Sequence, residues 1–94
     1  FKTDVYIIPI NEDMIGKSIE IAQNLRREGI LTDLDLLRRG IGKSLKYANS
    51  KNAKKAIIIG SEELENNSVT IKDMETGNQK VVEIVNIISE LKNK

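Results

Sequence analysis

The chain has 94 residues, of which 39% are hydrophobic and 31% charged, an ordinary balance for one small domain around a single core. With no Cys and no His, disulfides, thiolate or imidazole metal sites and every Ser/His or Cys/His catalytic arrangement are excluded. Lys and Arg exceed Asp and Glu by one charge, and no apolar run approaches the ~20 residues of a membrane span. The chain opens on Phe1 rather than Met and carries no signal-peptide pattern, so the expectation is a cytosolic domain, residues 1–94, cut from a longer chain and suited to recognition more than to catalysis.

Residues 5–10 (VYIIPI) are almost continuously apolar, the pattern of a central parallel strand covered on both faces, and Pro9 fits only near its end because it cannot donate to the ladder. Asn11 then caps a helix with Glu12 and Asp13 in its first turn, where the helix dipole favours acids. Ile15, Ile19, Ala22 and Leu25 mark its buried side, and Gly29 ends it. In residues 30–36, Ile30, Thr32, Leu34 and Leu36 alternate with Leu31, Asp33 and Asp35, predicting a half-buried outer strand.

A second helix follows Gly40, with Ile41, Leu45 and Ala48 inward and Lys43, Tyr47, Ser50 and Lys54 opposite, Lys46 lying at the border. Residues 56–59 form a short strand ending at Gly60, and one helical turn spans 62–65. Residues 69–72 and 80–83 flank a Gly-containing loop and predict a hairpin. A last helix turns Ile84, Ile87, Ile88 and Leu91 inward. Alternating strands and helices followed by a hairpin predict an α/β fold: a mixed five-stranded sheet, three parallel strands plus a C-terminal hairpin, with three main helices on both faces.

Between positions 38 and 55 the chain carries Arg38, Arg39, Lys43, Lys46, Lys51, Lys54 and Lys55 with no acid among them. Cations interleaved with Tyr47 suit RNA, since cations neutralise phosphates and a ring can stack on an unpaired base; the competing reading has Tyr47 packed over a neighbouring strand and the lysines merely solvated. The string Gly40-Ile41-Gly42-Lys43-Ser44 resembles the end of a phosphate-binding loop. The Gly required five residues before Gly42 is Leu37, however, and no apolar strand ends in an Asp to hold Mg²⁺, so a softened helix start is the better reading. Glu62, Glu63 and Glu65 lack the further ligands of a metal site and an acid–base partner, although a glutamate at a sheet edge can accept hydrogen bonds from base amino groups. Thr70 and Lys72 alternate with Val69 and Ile71 and therefore face away from the core.

The stretch 35–79 resembles the C-terminal anticodon-binding domain of class IIa aminoacyl-tRNA synthetases, and among these most closely the histidyl branch. The resemblance is carried by the basic helix with Arg39, Lys43, Lys46 and Ala48, by IIIG (57–60), by Glu63-Leu64, and by SVTIKD (68–73) with Thr76-Gly77. It implies a five-stranded mixed sheet, and an RNA partner in the anticodon loop of tRNA rather than DNA or a membrane. It also implies that Glu63 and Lys72 stand at base-contacting positions and that Arg38, Arg39 and Lys43 lie near the anticodon loop; Lys46, Tyr47 and Thr70 join them as expected tRNA contacts from the helix and strand readings above. The domain would hold no cofactor or catalytic residue. A cytoplasmic, homodimeric parent would use ATP and Mg²⁺ in a separate catalytic domain to esterify histidine to tRNA. Threonyl, prolyl and glycyl relatives, or a synthetase-like accessory module, share the pattern. Gly40 and Gly42 depart from the larger residues usual at this helix start.

Overall fold

The computed structural model describes residues 4–36 and 40–92, apart from the side chains of Glu63 and Leu64. Strand β1 (Val5–Pro9) is buried along its whole length and lies between β2 (Thr32–Leu34) and β3 (Lys55–Ile59), parallel to both. β4 (Ser68–Asp73) runs antiparallel to β3, and β5 (Gln79–Glu83) antiparallel to β4, giving the order β2-β1-β3-β4-β5. The central parallel strand, the outer strand and the hairpin thus stand where the hydrophobic patterns put them.

Successive residues of a strand point to opposite faces, and both faces carry a core. On one face Val5, Ile7, Ile57, Ile59, Val69, Ile71 and Val82 pack against α1 (Ile15–Arg27) and α4 (Ile87–Lys92). On the other, Tyr6, Ile8, Ala56 and Ile58 pack against α2 (Ile41–Ser50). The small helix α3 (Ser61–Glu65) follows β3 directly and lies along β4. α2 has Ala48 in the same cluster as the β1 and β3 side chains, and nothing comparable lies over β4 and β5 on that face among the described residues.

Helix faces differ from the periodicity reading in two places. In α1 the buried residues are Ser18, Ile21, Ala22 and Leu25, while Ile19 is 39% exposed. The small Ser18 lets the helix approach the sheet, and its hydroxyl is satisfied within the helix by donating to the Met14 carbonyl at 2.8 Å. In α2 the residues beneath the helix are Ser44 and Ala48, with Leu45 and Tyr47 half-buried on its flanks and Ile41 exposed. Small side chains again set the line of closest approach. Lys54 lies beyond this helix, whose C-cap is Lys51.

The outer strand is also shorter than the alternation over residues 30–36 predicts. Asp35 donates its backbone N–H to the Ile7 carbonyl at 2.8 Å, closing the ladder, and is itself buried, whereas Leu36 turns out to solvent. The exposed edge of β2 is blunted by Arg26, whose guanidinium donates twice to the Thr32 carbonyl at 2.8 and 3.1 Å.

Candidate nucleic-acid interface

The open half of the sheet is built by register. Thr70 stands between Ile58 and Val81, and Lys72 between Ala56 and Gln79, so side chains of β4 and β5 continue the α2-bearing face beyond the helix. Val82, buried on the α1/α4 side, forces Gln79, Val81 and Glu83 to the opposite side, next to Ser68, Thr70 and Lys72. Thr70 and Lys72 are half-buried, Gln79 and Glu83 exposed, and Val81 is 69% exposed. The result is a shallow polar platform with one apolar side chain and a single cation, Lys72, among the described residues.

The hairpin holding this platform is locked at its far end by Asp73. One carboxylate oxygen accepts from the backbone N–H groups of Glu75 and Thr76 at 2.9 and 3.1 Å, and the other pairs with Lys55 at 3.0 Å across the β3–β4 ladder. The Lys55 bond, followed by the two backbone donors, brings the Asp73 carboxyl down to about 2. Gly77, at φ +82°, supplies the left-handed residue the turn requires. The string KDMETGNQ is therefore a turn signature flanked by two platform residues, Lys72 and Gln79.

The basic residues divide by whether the fold neutralises them. Lys17, Lys55, Lys80 and Lys92 each pair with a carboxylate, of Glu20, Asp73, Glu90 and Glu28 respectively. The side chains of Lys43, Lys46, Lys54 and Lys72 make no ion pair or hydrogen bond among the described residues. Lys43 and Lys46 are exposed on α2, and Lys46 lies opposite the buried Ser44–Ala48 line. These charges remain available to an external anion, and phosphates are the anions that clustered lysines attract most in a nucleic acid.

Tyr47 is placed differently from the lysines around it. Its ring lies 5.7 Å from that of Tyr6, tilted by 49°, and Lys51 sits 5.3 Å over it. The ring thus packs on β1, with a cation–π contact as its outer cover, in keeping with the packing alternative; Lys43, one turn earlier, shares that side of the helix. Arg38 and Arg39 lie outside the described residues, as does the side chain of Glu63. The backbone of α3 puts residue 63 beside the start of β4, at the opposite end of the platform from Lys72.

Gln79, Val81 and Glu83 were not singled out from the sequence. The alternation of 79, 81 and 83 against Val82 was visible, but only the β4–β5 register shows that they lie beside Thr70 and Lys72. The Gly42-Lys43-Ser44 string begins a helix after a three-residue edge strand, with Ser44 buried at 2% exposure beneath it. That is the softened helix start, not a phosphate loop. Gly40, at φ +87° and ψ 152°, is the helix N-cap in a conformation essentially restricted to glycine, which accounts for the departure from larger residues there. Among the described residues no group of three or more acids is placed to hold a metal ion, and no helix is long and apolar enough to cross a membrane.

The chain is 44% identical over 90 residues to the histidine–tRNA ligase of Pyrococcus furiosus, covering 96% of this chain and 21% of that protein. It is 45% identical over 82 residues to the histidine–tRNA ligase of Methanocaldococcus jannaschii, covering 85% and 20%. The chain therefore spans about a fifth of the length of these relatives. The structure of apo S. aureus histidyl-tRNA synthetase superposes with a TM-score of 0.89 at 32% identity, over 98% of this chain and 24% of that one. The RNA-binding domain of threonyl-tRNA synthetase from Cryptosporidium parvum shares the fold, with a TM-score of 0.88 at 18% identity over 95% of this chain and 22% of that one. Residues 4–94 match the family described as the anticodon binding domain, and the chain belongs to that family.

Proposed function

We propose that this chain is the C-terminal anticodon-binding domain of a histidine–tRNA ligase and that its open half-sheet receives the unpaired bases of the anticodon loop. The observation that carries the reading is the conjunction of an uncovered polar platform with four lysines that the fold leaves unneutralised. In this reading Lys43, Lys46 and Lys54 supply salt-dependent affinity through phosphates, and Thr70, Lys72 and Glu63 discriminate among bases. Arg38 and Arg39 would add to the phosphate contacts, and Tyr47 would act indirectly, by fixing α2 on β1. The parent, a cytoplasmic homodimer, would activate histidine with ATP and Mg²⁺ in its catalytic domain; no step of that chemistry is assigned to these residues. The histidine assignment is supported by the names and identities of the relatives, the base-reading role by the platform.

The test is titration of the 94-residue chain with a histidine-type anticodon stem-loop, single-base variants of it, and threonine- and proline-type loops, at two salt concentrations. Preference for the histidine loop that persists at the higher salt is expected. Equal binding to every loop that disappears with salt would leave only a basic patch, and the base-reading role would be lost.

A further inference from the structure

Of the two edge strands, β2 is blunted by Arg26, whereas β5 carries no such cover among the described residues. The phase of the β4–β5 ladder fixes which backbone groups of β5 are spare. Asp73 donates its N–H to the Asn78 carbonyl and Ile84 donates to that of Asn67, each at 2.8 Å. Hydrogen-bonded pairs recur at every second residue of an antiparallel ladder, so Ile71/Lys80 and Val69/Val82 are the bonded pairs between those two. Lys80 and Val82 therefore turn their N–H and C=O groups to β4, while Gln79, Val81 and Glu83 turn theirs to the free edge. The side chains of these three residues are exposed, and the only cation of the strand, Lys80, is paired with Glu90 on the α4 side.

We propose that this edge pairs with the β5 edge of a second copy of the chain, antiparallel and centred on Val81, joining two five-stranded sheets into one. The occupant follows from self-complementarity. With Val81 opposite Val81 of the second copy, Gln79 faces its Glu83 and Glu83 faces its Gln79. All three pairs join residues whose backbone groups point outward, so each pair can exchange two hydrogen bonds. Moving the centre by one residue or more leaves at least one of the three without a strand partner. A twofold axis normal to the sheet relates the copies, so paired side chains share a face and both platforms open on the same side. Across the seam the Gln79 amide donates to the Glu83 carboxylate, and Val81, 69% exposed in the single chain, packs on its own copy. No like charges are opposed. The proposal does not depend on the RNA-binding reading, which stands or falls separately.

Sedimentation of the 94-residue chain over a concentration series tests it. Dimers should appear in roughly the upper micromolar range, since one strand edge covers less surface than a standard interface. Val81→Lys and Val81→Glu should each stay monomeric with an unchanged melting temperature in dilute solution, because position 81 is exposed. An equimolar mixture of the two should dimerise, since opposite charges then meet at the axis. The chain has no Cys, so Val81→Cys supplies one thiol per copy and should form an intermolecular disulfide on oxidation. Gln79→Cys alone should not, because its two copies stand about 13 Å apart along the strands, whereas Gln79→Cys mixed with Glu83→Cys should. A chain that stays monomeric throughout overturns the proposal and leaves the edge to an extended segment of another protein. A dimer indifferent to Val81→Lys, or one that cross-links as readily through Gln79→Cys alone, overturns it as well.

Discussion

The α2-bearing face of the sheet has two halves made from the same kind of strand, and they differ in what covers them. Over β1 and β3 the outward residues are Tyr6, Ile8, Ala56 and Ile58, all buried beneath a helix that approaches on Ser44 and Ala48. Over β4 and β5 the continuation of the same rows is Thr70, Lys72, Gln79 and Val81, and among the described residues no helix packs on them as α2 does on β1 and β3. Each row passes from apolar to polar across one strand boundary: Ile58 pairs with Thr70, and Ala56 with Lys72. The opposite face shows no such break, since Val69, Ile71 and Val82 continue its core out to β5. The hairpin is thus anchored from below by the apolar burial of Val69, Ile71 and Val82, on the side away from the platform.

Four predictions would break or sharpen that division. Ile57→Ala, on the α1/α4 side of β3 and fully buried, should destabilise the chain by about 2–5 kcal/mol in denaturant unfolding, which would also abolish RNA binding through loss of fold. Gly40→Ala should cost about 1–3 kcal/mol, because its φ of +87° with ψ 152° is closed to other residues, whereas Gly42→Ala, two residues on in the first turn of the helix, should stabilise by about 0.5–1 kcal/mol. Opposite signs at these two glycines, read from melting temperatures, would show that the start of the covering helix depends on one specific backbone conformation and not on general looseness.

The third prediction concerns acid. The Asp73 carboxyl lies lower folded, at about 2, than its ordinary value of 3.8, so the stability it contributes is fully present above about pH 4 and is lost as pH falls toward 2. Asp73→Asn keeps an oxygen for the Glu75 and Thr76 N–H groups but removes the Lys55 ion pair, and it should flatten this part of the acid profile followed by circular dichroism. An unchanged profile would show that the hairpin end is held by other contacts. The smallest effect is expected at Val81→Thr, an exposed platform residue, where stability should move by no more than about 0.5 kcal/mol. A loss comparable to that at Ile57 would mean that the open half is covered after all.

The order β-α-β-α-β followed by a hairpin was legible in the sequence because each signal is local. An apolar run of strand length, an Asn cap with acids behind it, and an Asp and a Gly at the ends of a turn each act through a residue's own backbone or the next few residues. The basic character of residues 43–55 was legible for the same reason, as was the outward direction of Thr70 and Lys72, which follows from the two-residue period of a strand. What depended on the partner element was not. Period alone put Ile19 and Ile41 inward; the folded chain instead lays Ser18 and Ser44 against the sheet, because the distance of closest approach is decided by the smallest side chains of both surfaces together. Tyr47 had an RNA-facing and a packing alternative in the sequence, and it packs because Tyr6 stands on the strand beneath it. Gln79 meets Lys72 only through the register of two strands separated by a turn, so the composition of the platform, unlike the elements that carry it, is a property of the tertiary structure.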